Sequence, residues 1–201
     1  MIGPWLLGFL AWMLVGCSGG EGTDTPVSVP DGVGDIDPVC YGRTPKLQVG
    51  GGDVAYQALG PGSEVIMVHG PQGGWHVVAS ASIAYLREVV DIEVEVLAEV
   101  NGDQEVVAFG AYRGALVMES TCQGTYPGMF AYLDVSGIAD GELDTPPELL
   151  SNTPALISMV AWDSDGHRAE GSLEVVLMPD PIDIKAADET VGAPLGAHAL
   201  R

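Results

Sequence analysis

Residues 91–100, DIEVEVLAEV, put Ile92, Val94, Val96, Ala98 and Val100 on one side of an extended chain. Asp91, Glu93, Glu95 and Glu99 fall on the other, with Leu97 as the exception. A helix would scatter both sets around its circumference, whereas a half-buried strand separates them. Asn101-Gly102 follows at once. Both residues tolerate positive φ, as a two-residue hairpin turn requires, so residues 104–109 return as the partner strand. The period of two extends from about Gly50 to Asp180. Residues 65–68 are a short apolar run, and Trp75, Val77, Ala79, Ala81 and Ile83 alternate inward. Residues 115–121 and 129–135 flank a Gly/Pro stretch expected to turn, and 155–162 pairs with 172–178 across Asp163-Ser164-Asp165-Gly166. Seven or eight short strands with no long helix predict an all-β body, an antiparallel β-sandwich over residues 48–180.

Ahead of that body, residues 5–15 (WLLGFLAWMLV) form an uncharged apolar run. Its length suits a signal-peptide core and falls short of the ~20 residues a membrane-spanning helix needs. The run ends in Leu14-Val15-Gly16-Cys17, followed by Ser18-Gly19-Gly20, and the residues before it, 1–4, contain no Lys or Arg. This arrangement resembles the lipobox signal peptide of bacterial lipoproteins. The resemblance implies removal of residues 1–16, attachment of diacylglycerol and a fatty acyl chain to Cys17, and a protein anchored to a membrane of the cell envelope. Ser18 after the cysteine is similar to lipoproteins sorted to the outer membrane. Residues 17–47 then comprise the acylated N-terminus and a flexible acidic tether, because Gly, Pro, Ser, Thr and Asp cannot bury enough apolar surface to order themselves. Residues 181–201, mixed Ala, Gly and Pro, are expected to form a loosely ordered tail.

The chain has 3 cysteines. With Cys17 acylated, Cys40 and Cys122 remain as an even pair in a compartment that favours oxidation. A disulfide between them would close a loop of about 80 residues, worth roughly 4 kcal/mol in the chain-entropy model. The alternatives are two reduced thiols or a metal site, although no CxxC spacing and no neighbouring His accompanies either cysteine. The formal charge is −21, from 28 acids against 7 Lys and Arg. Such a field repels nucleic-acid phosphates and argues against a nucleic-acid partner.

The closing segment 161–180, AWDSDGHRAEGSLEVVLMPD, runs strand, Asp-rich turn, then a strand of alternating apolar residues. It resembles the last hairpin of bacterial immunoglobulin-like or PKD-like modules. That resemblance implies an immunoglobulin-like sandwich used for spacing or binding, and it carries no catalytic residue.

Two constellations are candidates for metal. His69 and His76 bracket Gly70-Pro71-Gln72-Gly73-Gly74-Trp75, and two imidazoles around a tight turn suit copper or zinc. The same string also reads as a strand–turn–strand connection in which Trp75 covers one end of the body and alternation turns His76 outward. Asp163 and Asp165 share the spacing of calcium loops, with Asp140, Glu142 or Asp144 as further ligands, yet Asp and Gly between strands also suit a plain turn. Trp75 and Trp162 are expected in packing rather than as a carbohydrate platform. The chain lacks a Gly-x-Ser-x-Gly elbow, a His-Glu-x-x-His pair, a phosphate-cradling Gly-Lys-Ser/Thr loop and a Rossmann glycine pattern after a strand. The expectation is a lipid-anchored, non-enzymatic envelope domain that meets another envelope protein or a glycan. It needs no cofactor beyond its acyl chains. A metal-handling lipoprotein using Cu, Zn or Ca is the second reading.

Overall fold

The computed structural model describes residues 40, 42–138 and 145–184. The leader, Cys17, most of the expected tether, the tail beyond residue 184, and Asp140, Glu142 and Asp144 lie outside the described residues. In chain order the strands are β1 (Lys46–Gly51), β2 (Gln57–Ala58), β3 (Ser63–His69), β4 (Trp75–Ala84), β5 (Val89–Val100), β6 (Asp103–Ala115), β7 (Val117–Ser120) and β8 (Gln123–Leu133). A short helix, α1 (Pro146–Leu150), precedes β9 (Thr153–Asp163) and β10 (Arg168–Pro179).

Asn101 and Gly102 take φ of 56° and 93°, so β5 folds directly back into β6. Ile92, Val94, Val96, Ala98 and Val100 are all buried. β5 pairs on its other edge with β9, β9 with β10, β10 in parallel with β3, and β3 with β4. β4 pairs with β8, which reaches β6 again through Ala108↔Leu133 and Phe109↔Tyr132. Seven strands thus close a ring within a sheet of 10, with β1 and β2 extending from β4 and β7 lying on the start of β8.

The body is all-β, as the alternation implies, but its architecture differs from the expected immunoglobulin-like sandwich. A single sheet closes on itself where two facing sheets were anticipated. Part of the cause is the parallel β10–β3 pair, which joins strands far apart in sequence. Bulges that curl the strands supply the rest. In β5–β6 the register shifts at Val96/Leu97, with Val107 the extra residue. In β8, Pro127-Gly128 oppose Ser80 alone between the pairs Ala79↔Met129 and Ala81↔Tyr126.

The Gly/Pro stretch therefore does not turn, and the change of direction lies at Thr121-Cys122 instead. Proline has no N–H to give a ladder, and a bulge is where a strand accommodates it. Gly128 adopts φ +70°, and a side chain there would collide with the carbonyl oxygen of Asp53. Ser80 seals the spot. Its Oγ accepts the Gly128 N–H at 3.3 Å and donates to the Gly52 carbonyl at 2.6 Å.

A small barrel must be filled by its own side chains. The inward residues are Ala79, Ala81, Ala98, Ala131 and Ala161 beside Met67, Ile92, Met129, Ile157 and Met159, all at most 1% exposed. Among the described residues no buried side-chain nitrogen or oxygen lacks a hydrogen-bond partner.

Among the described residues, β6 and β8 part beyond Phe109 and leave a gap. Tyr112 spans it. Its hydroxyl donates to the Phe130 carbonyl at 2.6 Å and accepts the Phe130 N–H at 2.7 Å, standing in for a missing rung. Tyr112→Phe removes both bonds and is expected to cost about 1–2 kcal/mol, with faster amide exchange at Phe130. Denaturant unfolding and hydrogen exchange would measure both, and unchanged protection at Phe130 would refute the bridging role.

Candidate functional site

The two rims of the barrel differ in chemistry. At one rim β4 runs into β5, β9 into β10 and β7 into β8, and here Cys40 forms a disulfide with Cys122. The bridge joins residues 82 apart in sequence with Cα atoms 5.6 Å apart, and Cys40 is buried. The Cys122 carbonyl accepts the Tyr85 N–H at 2.8 Å, and the Arg43 guanidinium sits 5.5 Å from the centre of the Tyr85 ring. Lys46, Gln48, Tyr85 and Gln123 line a shallow groove of about 460 Å³ beside it.

The β9–β10 turn lies at the same rim. The Asp163 side chain is fully buried and works as the turn's own scaffold. One oxygen accepts the N–H groups of Asp165 (2.9 Å) and His167 (3.0 Å), and the other accepts the Arg87 N–H (3.3 Å) and meets His167 Nδ1 at 3.1 Å. Burial pushes the Asp163 carboxyl upward, but the hydrogen bonds from His167, Arg87 and Asp165 outweigh it and hold the group below its ordinary range. Asp165 turns away to the Arg87 guanidinium, 2.6 Å from Nε. The two carboxylates of the candidate calcium pair are thus both taken up by protein donors, Asp163 by backbone N–H groups and Asp165 by the Arg87 guanidinium.

At the opposite rim, His69 and His76 are not brought together. His69 pairs in register with Trp75, and their rings stack with centroids 4.7 Å apart. Asp183 receives both, 2.8 Å from His69 Nδ1 and 2.8 Å from Trp75 Nε1. The His69 N–H donates to Asp180 at 3.1 Å. The N–H groups of Ile182 and His69 hold the Asp180 carboxyl below its ordinary range. Trp75 thus packs against the core from the start of β4, and the beginning of the C-terminal segment is fastened to it through Asp183.

His76, one residue on, lies on the other side of the wall, 4.7 Å from the Phe130 ring in an edge-on contact and 6.1 Å from that of Tyr132. Partial burial lowers its pKa, favouring the neutral imidazole. Among the described residues no three His, Cys, Asp or Glu gather in an arrangement that could hold a metal ion.

His76 belongs instead to an exposed band that sequence reasoning did not find. Phe109, Tyr132, His76 and Val68 lie side by side on neighbouring strands β6, β8, β4 and β3. Phe130 and Val78 form the next pair on β8 and β4, and Ile66 lies two residues from Val68 on β3. Tyr132 is 63%, Phe109 47%, Ile66 46% and Phe130 38% exposed, so none of these large side chains serves the core. Outward aromatics at alternate positions of 129–135 were the available signal. Without knowing that β8 lies between β4 and β6, the sequence gives no reason to group them.

No protein-family model matches the chain, and no curated protein matches it. Among solved structures it is similar to the CooA pilin subunit from enterotoxigenic Escherichia coli, at 10% identity over 69% of this chain and 100% of that chain, with a TM-score of 0.36. A likeness at that score carries neither fold nor function across.

Proposed function

We propose that this chain is an exported protein held in the cell envelope, at the outer membrane, by acyl chains on Cys17, and that its barrel is a non-catalytic binding or structural domain. The observation that carries this reading is the Cys40–Cys122 disulfide. Cytosolic thiols are kept reduced, so a buried structural bridge supports folding in an oxidising compartment, and the lipobox-like leader supplies the route there. The non-catalytic half of the reading is supported by the hydrocarbon filling of the barrel and by carboxylates already engaged by the protein, Asp163 within its own turn and Asp183 with His69 and Trp75.

The anchor is tested by substitution. Wild-type protein is expected to incorporate an alkyne fatty acid and to fractionate with membranes, and Cys17→Ser is expected to do neither. Persistent labelling of the Cys17→Ser variant would overturn the anchor, since no other cysteine has a free thiol once Cys40 and Cys122 are bridged.

A further inference from the structure

The basic residues are segregated along the barrel, whereas acids lie in both halves. The described Lys and Arg residues, Arg43, Lys46, Arg87, Arg113 and Arg168, all lie toward the rim that carries the disulfide. The other half bears Glu64, Glu95, Glu99, Asp103, Glu105 and Glu174 and, among the described residues, no lysine or arginine.

The exposed aromatic band lies in that acidic half. Glu95 is the register neighbour of Phe109, Asp134 follows Tyr132 by two residues, and Glu64 precedes Ile66 by two. An apolar centre with a rim of one sign is the pattern of a protein-binding patch. The uniform sign selects the occupant. A second copy of this chain would set acids against acids, and the net charge of −21 opposes that approach. Anionic lipid is repelled for the same reason.

We propose that the outer face around Tyr132, formed by β6, β8, β4 and β3, binds a cationic segment of a partner protein whose apolar side chains alternate with Lys or Arg. Apolar groups of that segment cover Phe109, Phe130 and Ile66, while its cations meet Glu64, Glu95 and Asp134 and the ring face of Tyr132. This rests on the reading of the barrel as a binding domain and names its partner's chemistry.

The test uses the full chain in detergent micelles and a labelled synthetic peptide in which Arg and Lys alternate with Leu and Tyr, followed by fluorescence anisotropy. Two control peptides replace the cations by Glu or the apolar residues by Ser. The cationic apolar peptide is expected to bind, and both controls to bind at least about tenfold more weakly. The double variant Phe109→Ser, Tyr132→Ser is expected to lose about tenfold or more in affinity. Glu64→Gln with Glu95→Gln, which leaves the apolar surface intact, is expected to weaken binding and flatten its salt dependence. Val117→Ser with Met118→Ser, exposed apolar residues on β7, is expected to change nothing.

Equal binding of the Ser-containing peptide, or indifference to the Phe109/Tyr132 substitutions, would reduce the effect to general attraction by an acidic protein and overturn the proposal. Self-association of the wild type that the double variant abolishes would assign the face to a second copy and overturn it equally. Cys17→Ser protein keeps this face, so peptide binding by that variant reads the face independently of whether the anchor reading survives.

Discussion

Replacing Cys40 and Cys122 together by alanine is expected to lower stability by about 4 kcal/mol and the melting temperature by roughly 12 °C. The bridge spans 82 residues, which include β1 through β7 and therefore more than half of the ring. Cross-linking so long a segment removes a large conformational freedom from the unfolded chain, and the chain-entropy model converts that restriction into the figure above. A second contribution is local. Cys122 occupies the tight turn between β7 and β8, and its carbonyl anchors Tyr85, a non-glycine residue at φ 65°. Freed of its link to residue 40, this turn loses its tie to the incoming chain. Thermal unfolding of the double variant beside the wild type, each with and without reductant, is the measurement. Reductant should bring the wild type to the level of the variant and leave the variant unmoved. A loss below about 1 kcal/mol would show that the unfolded chain is already compact enough for the link to matter little.

Asp163→Ala is expected to cost about 3 kcal/mol. Its carboxylate is the common acceptor for the N–H groups of Arg87, Asp165 and His167, all within a rim that joins β4–β5 to β9–β10. Truncation withdraws that acceptor from all of them at once. Asp163→Asn retains one acceptor oxygen and should lose roughly half as much. The pH dependence follows from the direction of the shift. The folded carboxyl titrates below its unfolded value, so its ionised form contributes stability above about pH 4, and the contribution disappears as pH falls through the folded pKa. The gap between wild type and Asp163→Asn should therefore be widest near neutrality and narrow in acid. Guanidinium unfolding at about pH 7 and again at about pH 3 would reveal it. A gap that stays constant would mean that the turn depends on shape and not on the charge.

Strand identity was legible in this sequence because burial imposes a period of two, and β4, β5, β9 and β10 obey it. Even the exception has a cause. Leu97 lies on the outer face between Val106 on β6 and Leu156 on β9, an apolar row on the outside of the wall. The Cys40–Cys122 pairing followed from parity once Cys17 was set aside. Closure into a ring was not legible. It depends on the parallel β3–β10 pair, which brings together residues more than a hundred positions apart, and on bulges whose only local trace is a Pro-Gly dipeptide that equally suits a turn. β1 escaped because only Leu47 and Val49 alternate before its glycines. At Gly50 a side chain would collide with the Tyr56 ring and the Gln57 carbonyl oxygen. Of the candidate sites, the histidines shared a turn but not a face, since adjacent strand residues point to opposite sides. The exposed band needed the order of strands before its members became neighbours.

A ring of strands has a further consequence for a protein that the proposed lipid anchor would concentrate at a membrane. Crowded chains join most readily through unsatisfied backbone at the margins of a sheet, where one molecule extends another. Here the ring pairs strand to strand, with Tyr112 filling the place where β6 and β8 part, and the outermost strands of the sheet are β2, of 2 residues, and β7, of 4. Neither is long enough to template a neighbour. Many copies can stand shoulder to shoulder while each remains a separate unit, leaving side chains rather than backbone to decide what each molecule touches.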